Sequence, residues 1–431
     1  MRKIILPAVL CFGVGLVVMP FFILPSQFLP GLLISFALLL IVSFWTGSVK
    51  NQHGIPYVKS PLIVRFFFAI LIAEIMIHFY PTRDAAGYNT DGFQAMLMLK
   101  AGDIDEFFRA GFLGGAGTTF YKKMTGVMFL LFGPNEITVR VINTTIAWLG
   151  ALFFFSAFSW GMGLRQKKAF AFLLFFTPSI LLWTSIHGKD PWVFFGIGVF
   201  SWASIRVLKG TLPNLFELAL VALAVAIIYF IRPHIDMLLA GSLLVAAIFS
   251  RSSHEKVRRF IPFMSSLFLF YFAYATFVSW VGVETGGSFQ SLVQVGYEHQ
   301  EQIIEAGGSS YDIPAGLRPF LVLVAPIFVY LRPFPFEVRN VFALYTSAES
   351  LILFVLLAIG LRRLLKHPWQ RIRDPITVFS LSYLLAFSLL FVFSGNSGLL
   401  ARQKAVQALP FLCFLASFAF CPKKEEDHEN P

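Results

Sequence analysis

Long apolar stretches separated by short polar connections dominate this chain. Apolar runs of about 17–25 residues recur, which is the length that a helix needs to cross a bilayer. Hydropathy predicts about twelve spanning helices. Their approximate cores are residues 4–24, 28–46, 62–80, 135–160, 169–184, 191–208, 214–232, 237–250, 260–280, 341–360, 376–394 and 403–421. The pattern therefore predicts an all-α, polytopic integral membrane protein.

Composition supports this class and excludes a soluble enzyme domain. Of the 431 residues, 57% are hydrophobic and 13% are charged, whereas soluble domains average about 45–50% apolar and about 25% charged residues. The first apolar run, Ile4–Leu24, follows Arg2 and Lys3. It is long and lacks a small-residue cleavage site, so we expect a retained span and not a signal peptide.

The distribution of basic residues predicts the orientation. With these spans, the basic connections all fall on one side, which the positive-inside rule makes cytoplasmic. They are Arg2/Lys3, Lys50/Lys59, Arg165/Lys167/Lys168, Arg206/Lys209, Arg251/Lys256/Arg258/Arg259, Arg362/Arg363/Lys366/Arg371/Arg373 and Lys423/Lys424. Both termini are then cytoplasmic. The net charge of +11 reflects this topology and does not indicate a nucleic-acid partner.

Two long segments face the opposite, outer side and divide the chain into three predicted parts. Residues 1–80 hold the N-terminal spans, residues 81–250 a core with the outer acidic loop 81–134, and residues 251–431 the C-terminal spans with the outer loop 281–340. Both loops contain an apolar run too short to span, at 120–133 and 317–331. We expect these runs to form helices at the outer surface.

Ionisable residues are concentrated where spans meet the outer face. Asp84 lies just past a predicted span end, and Tyr88 follows four residues later, so a helix would place both on one face. The candidate catalytic base is Asp84. The candidate substrate-binding residues are Tyr88, Asp91, Lys189, Asp190, Arg232, His234, Arg332 and Arg402. The positive-inside rule predicts few cations on the outer side. The cations present there point to an anionic ligand, such as a lipid phosphate or diphosphate.

Structural interpretations stand beside each of these roles. Asp84 and Asp91 are also typical helix caps or turn residues, and Lys189 and Asp190 could form a local ion pair. His187 is expected to be a satisfied polar residue at the membrane surface. The arginines could instead anchor span ends at the lipid headgroups, which applies to Arg232, Arg332 and Arg402.

Four motifs occur in a recognisable order between Asp84 and about Gly210. They are Asp84-Ala85-Ala86-Gly87-Tyr88, the run from Tyr121 to Leu131-Phe132-Gly133-Pro134, Arg140-Val141-Ile142-Asn143, and TPSILLWTSIHGKDP at 177–191. This arrangement resembles the GT-C superfamily of membrane glycosyltransferases, in which the acidic motif is often Asp-Glu-x-x-Tyr. Ala85 stands here in place of the second acidic residue. The C-terminal half, with RPFPFE and GNSGLLARQK, looks like bacterial envelope proteins of polysaccharide synthesis.

The resemblance implies a GT-C-like fold and sugar transfer from a polyprenyl-phosphate-linked or polyprenyl-diphosphate-linked donor to an envelope glycan or lipid. It implies a bacterial plasma-membrane protein with its active site facing the periplasm or exterior. Asp84 would act on the acceptor hydroxyl, while Lys189, Arg232 and Arg402 would hold the phosphate. No cofactor is certain from the sequence, and a divalent metal is possible but unsupported.

Two other functions remain open at this stage. One is an O-antigen-type oligosaccharide polymerase or ligase, for which the arginines around Arg232 and Arg402 are also suited. The other is a transporter or flippase of lipid-linked glycans, which would place polar groups at mid-membrane. The sequence leaves open the sugar, the acceptor, the choice between phosphate and diphosphate, and the oligomeric state.

Overall fold

The computed structural model describes residues 83–113, 115–249, 318–338, 341–366, 373–392 and 394–421, together with Val64, Arg65, Leu267 and Tyr271. All the regular secondary structure in these ranges is helical. Apart from those four single residues, the predicted spans 4–24, 28–46, 62–80 and 260–280 lie outside the described residues. So does the part of the outer loop before residue 318.

Fifteen α-helices are described in these ranges. They are α1 Arg83–Ala101, α2 Ile104–Arg109, α3 Ala116–Phe132, α4 Glu136–Phe158, α5 Leu164–Phe176, α6 Pro178–Trp183, α7 Asp190–Leu208, α8 Leu215–Ile231, α9 Pro233–Phe249, α10 Arg318–Leu323, α11 Ala325–Leu331, α12 Val341–Lys366, α13 Pro375–Phe391, α14 Ser397–Gln403 and α15 Leu409–Ser417. A π-helical turn, Lys404–Ala408, joins α14 to α15.

Four described helical stretches are long and apolar enough to cross a membrane, which confirms a helical membrane protein. They are Glu136–Phe158, Asp190–Leu208, Ala343–Lys366 and Ser397–Phe420, and they coincide with four predicted spans. Three shorter apolar helices, α8, α9 and α13, coincide with three more. The apolar core of Ala343–Lys366 is only 28% buried in the protein, so this helix has a broad surface for lipid. The total of twelve spans stays a prediction.

One predicted span is interrupted in the structure. Residues 169–184 are not one helix, because α5 ends at Phe176 and α6 begins at Pro178. Proline has no backbone N–H and its ring clashes with the preceding turn, so it is tolerated at the start of a helix but not inside one. The predicted loop helices at 120–133 and 317–331 are present as α3 and as the pair α10 and α11.

The chain divides into two compact units. The first comprises Met1–Ala147 and Ser185–Pro191, and the second comprises Trp148–Thr184 and Trp192–Pro431. Within the second unit, α9 packs on α13, and α15 packs on both α5 and α12. Its interior is filled by phenylalanines, among them Phe155 stacked on Phe170 with ring centroids 5.8 Å apart. Helices α4 and α7 also approach closely. A Cβ added at Gly198 of α7 would lie 2.5 Å from the carbonyl oxygen of Gly150 of α4.

The first unit is built on the packing of α1 against α3. A Cβ added at Gly92 would lie 2.5 Å from the Thr125 side chain, and one added at Gly126 would lie 2.6 Å from Ala95 Cβ. The missing side chains allow the two backbones to approach closely, as small residues do in membrane helix pairs. Residue numbers rise together on both sides of this contact, so α1 and α3 are parallel and their N-termini lie at the same end.

The connection between two parallel helices must return along their whole length, and lysines of α3 hold it in place. Lys122 Nζ donates to the Leu113 carbonyl oxygen at 2.7 Å, and Lys123 Nζ donates to the Phe108 carbonyl oxygen at 2.7 Å. The connection contains α2, which is largely exposed. These bonds satisfy carbonyl groups of the loop that have no helical partner.

We predict that Gly92→Ala destabilises the protein by about 1–3 kcal/mol, because its Cβ would overlap the Thr125 side chain. Gly87→Ala on the same helix is the matched control, since its Cβ would have nothing closer than Lys122 at 4.0 Å. The measurement is thermal unfolding of both variants in detergent. Equal melting temperatures for the two variants would contradict the close α1–α3 packing.

Candidate functional site

The parallel packing of α1 and α3 brings two helix N-termini to one end of the first unit. Along this interface the Tyr88 and Tyr121 rings are 4.8 Å apart in an edge-to-face arrangement. One turn before Tyr88 is Asp84, and the same register places it beside the first turn of α3, where Thr118 lies. Helix N-termini carry partial positive charge and favour anions. This end of the unit is therefore suited to a negatively charged group.

Asp84 is exposed and lies in the first turn of α1. It shares one helix face with Tyr88 and Asp91, as its spacing predicts. A carboxylate in the first turn also stabilises its own helix through the dipole, so the structural interpretation of Asp84 agrees with its position as well. Its exposure leaves it accessible to a substrate hydroxyl.

Two lysines accompany these carboxylates. Lys122 of α3 is 5% exposed, and its Nζ lies 2.6 Å from Asp91 Oδ2. Lys189 Nζ donates to Thr118 Oγ1 at 3.1 Å. Thr118 and Lys122 are one turn apart on α3, so both cations meet the same helix face. Lys122 is held in an ion pair with Asp91, and Lys189 is held by the Thr118 hydroxyl.

A buried hydrogen-bond centre fixes the loop that carries Lys189. Asn143 Nδ2 of α4 donates to Tyr121 Oη at 3.0 Å and to the Ile186 carbonyl oxygen at 3.0 Å. The His187 ring packs on Tyr88 and Tyr121, with centroids 5.8 and 6.0 Å away. Tyr88 is therefore buried in this centre and faces the helix interface. Asp190 follows Lys189, is fully buried, and occupies the first turn of α7.

Burial determines the protonation of this centre. Burial, together with the nearby Arg140 guanidinium, lowers the pKa of His187 from 6.5 to about 3. Burial is also the largest cause of a raised pKa for Tyr121. Both groups are therefore neutral at neutral pH.

The remaining sequence candidates lie in the second unit. Arg232 is 5% exposed and caps the C-terminus of α8. Arg232 and Asp236 both interact electrostatically with the Tyr383 phenol of α13. His234 is half-buried, and its ring centroid is 6.1 Å from that of Phe391. These positions group Arg232 with a buried carboxylate that the sequence analysis did not select.

Arg332 and Arg402 have different surroundings. The Arg332 guanidinium binds Glu337 through Nε at 2.9 Å and Nη2 at 2.6 Å, and it lies 4.1 Å from the Phe328 ring centroid. Its charge is thus already paired with a carboxylate. Arg402 is half-buried, with its guanidinium 5.7 Å from the Trp183 ring centroid.

Some residues of these centres were not selected from the sequence. Lys404 is 1% exposed and donates to the Tyr330 and Arg332 carbonyl oxygens, at 3.2 and 2.5 Å, and to Ser350 Oγ at 2.7 Å. It therefore fixes the C-terminal end of α11 and the backbone of Arg332. The others are Tyr121, Lys122, Asn143 and Asp236. For Lys404 the sequence did contain a local signal, namely a lysine inside an apolar run, since a buried lysine requires partners.

No group of three or more His, Cys, Asp or Glu residues with the geometry of a metal site occurs in the described part of the chain. No protein-family model matches the sequence, and no curated protein or solved structure is detectably similar to it.

We predict that acid destabilises the first unit through His187. Its pKa is lowered on folding, so the unfolded chain binds the proton first, and stability falls as pH drops from about 6.5 towards 3. The expected loss is about 2 kcal/mol between about pH 7 and pH 5. His187→Gln removes this titration and should flatten the dependence of melting temperature on pH over that range.

His234→Gln is the matched control, because His234 lies in the second unit and its replacement leaves His187 in place. The control should retain the wild-type slope. A wild-type slope in His187→Gln itself would show that this imidazole is not the group whose protonation opposes folding.

Proposed function

We propose that this protein is a membrane glycosyltransferase that transfers a sugar from a polyprenyl-phosphate-linked donor to an envelope glycan or lipid on the outer face of the bacterial plasma membrane. The observation that carries the proposal is the end of the first unit formed by the α1 and α3 N-termini. There an exposed carboxylate, Asp84, lies in the first turn of α1, and Thr118 in the first turn of α3 holds the ammonium group of Lys189.

The geometry supports a simple displacement. Asp84 accepts the proton of the acceptor hydroxyl as that oxygen forms a bond to the anomeric carbon of the donor sugar. The bond between the anomeric carbon and the phosphate oxygen breaks, and the electron pair leaves with the phosphate. A polyprenyl phosphate leaves as an anion near neutral pH, so no general acid is required.

The cationic surroundings stabilise the charge that develops on the leaving group. Lys189 and the N-terminus of α3 are fixed before the reaction, because Thr118 holds the ammonium group and Asn143 holds the loop. Preorganised donors of this kind stabilise a developing oxyanion strongly. The phosphate-binding roles of Arg232, His234, Arg332 and Arg402 stay predictions from the sequence.

The end of the first unit formed by the α1 and α3 N-termini lies next to the starts of spanning helices, which favours a lipid-linked donor. Asn143 and Lys189, which border it, lie on or just before the helices Glu136–Phe158 and Asp190–Leu208, both of membrane-spanning length. A donor phosphate at the membrane boundary would reach Lys189 with its polyprenyl chain in the bilayer. The positive-inside pattern assigns this boundary to the outer face.

We expect Asp84→Asn to lower sugar transfer by about 10²–10⁴-fold, because the amide cannot accept the acceptor proton. The assay uses the full chain in nanodiscs with radiolabelled polyprenyl-phosphate sugars and an envelope lipid extract. Asp105→Asn is the matched control, since Asp105 is another exposed aspartate of the same unit. Wild-type transfer by Asp84→Asn would remove Asp84 from the mechanism. Lengthening or joining of lipid-linked oligosaccharides without use of a monosaccharide donor would favour a polymerase or ligase instead.

We expect Lys189→Met to lower kcat/KM for the donor by about 10²-fold or more, because a fixed charge on the leaving phosphate is lost. Lys189→Arg should recover part of the activity. Lys100→Met, an exposed lysine in the last turn of α1, should behave like the wild type. Equal losses in Lys189→Met and Lys100→Met would argue against phosphate binding at Lys189.

A further inference from the structure

A groove of about 530 Å³ lies on the first unit, away from Asp84. It is bordered by the middle of α1, the end of α3 and the start of α4. Its lining combines aromatic rings with amide, hydroxyl and carboxylate groups, from Asn89, Thr90, Phe93, Gln94, Phe129 and Glu136. Its volume is within the range of about 300–1,000 Å³ that is typical of small-molecule sites.

The carboxylate of the groove is held in a fixed orientation. Glu136 Oε1 accepts from Arg140 Nε at 3.0 Å, and Glu136 Oε2 accepts from Asn89 Nδ2 at 2.6 Å. Oε1 also accepts from Arg140 Nη2. A carboxylate accepts about four hydrogen bonds in total, so the remaining capacity for a ligand lies on Oε2. Arg140 is 2% exposed, so its guanidinium donates to Glu136 and does not line the groove.

The chemistry of the lining selects a neutral ligand rich in hydroxyl groups. Amide side chains such as Gln94 both donate and accept hydrogen bonds, and a hydroxyl group needs partners of both kinds. Phe93 is 43% exposed and presents an aromatic surface on which the C–H face of a sugar ring can pack.

Other ligand classes fit this lining less well. None of the described residues that line the groove is a lysine or arginine, and an ionised carboxylate such as Glu136 offers a phosphate no hydrogen-bond donor. An acyl chain would leave the amides and the carboxylate of the lining without hydrogen bonds when it excluded water, which is unfavourable. The donor phosphate and the lipid chain therefore belong elsewhere.

We propose that this groove binds a neutral saccharide segment. Its assignment to the acceptor rests on the glycosyltransferase function proposed above, whereas saccharide binding itself does not. Phe93 follows Asp84 by nine residues of one helix, which corresponds to about 14 Å along the axis and to the opposite face. The groove thus holds a part of the acceptor remote from the hydroxyl that reacts. On this basis the acceptor is a glycan of several sugars and not a lipid alone.

The position of the groove agrees with a soluble saccharide. Glu136 is the first residue of a helix of membrane-spanning length, whereas Asn143, which bonds Tyr121 near the start of α3, lies two turns further along it. The groove is therefore further from the membrane interior than the Asp84 end. A glycan that extends away from the bilayer would pass this surface.

The test measures binding of soluble saccharides to the full chain in nanodiscs, without glycosidic detergents. The probes are neutral α-1,4-linked and β-1,4-linked glucose oligomers and N-acetylglucosamine oligomers, followed by saturation-transfer NMR and calorimetry. We expect at least one class to bind, and Phe93→Ala to weaken that binding about tenfold through loss of the ring contact. Leu97→Ala is the matched control, because Leu97 is 48% exposed one turn further along α1 and does not line the groove.

The outcomes separate this inference from the proposed reaction. Asp84→Asn should bind the saccharide like the wild type, even though it fails in transfer. If transfer is observed, Phe93→Ala should raise the KM for the acceptor and leave that for the donor unchanged. Absence of binding for every probe class, or equal binding by wild type and Phe93→Ala, would overturn the saccharide site. Displacement of the bound saccharide by added phospholipid would overturn it as well.

Discussion

The close approach of two parallel helices, α1 and α3, is the constraint on which the first unit depends. Gly92 and Gly126 carry no side chain that would hold the helices apart. Because the helices are parallel, their N-terminal dipoles add at one end instead of cancelling. The same register puts Asp84 beside the start of α3 and leaves the opposite face of α1 for the saccharide groove. A wider separation would remove the Tyr88–Tyr121 contact and the Lys122–Asp91 ion pair together.

The cations of this protein differ in the groups with which they form ion pairs and hydrogen bonds. Lys122 is buried in an ion pair with Asp91, and Arg332 is bound by Glu337. Lys404 donates to carbonyl and hydroxyl oxygens that complete its hydrogen bonds. Lys189 donates to the hydroxyl of Thr118. Residue type alone therefore does not identify a phosphate ligand, because the partners of each cation decide whether charge remains for a substrate.

Part of the site followed from the sequence because it depends on local spacing. Asp84 and Tyr88 are four residues apart, so one helix was enough to place them on the same face. The relation of Asp84 to Lys189 could not be obtained in this way, since it requires the parallel register of α1 and α3 and the loop held by Asn143. Tyr88 illustrates the difference, because its helix face was predicted while its burial against Tyr121 and His187 was not.

The sequence by itself determined the helical membrane class and the approximate limits of the described spans, because hydropathy and span length are properties of contiguous residues. It also indicated that 120–133 forms a short helix. Only the tertiary structure decided that α3 is parallel to α1 and that Glu136 and Phe93 border one groove. Those features depend on contacts between distant positions, where side-chain volume and hydrogen-bond geometry select one arrangement that a hydrophobic pattern does not specify.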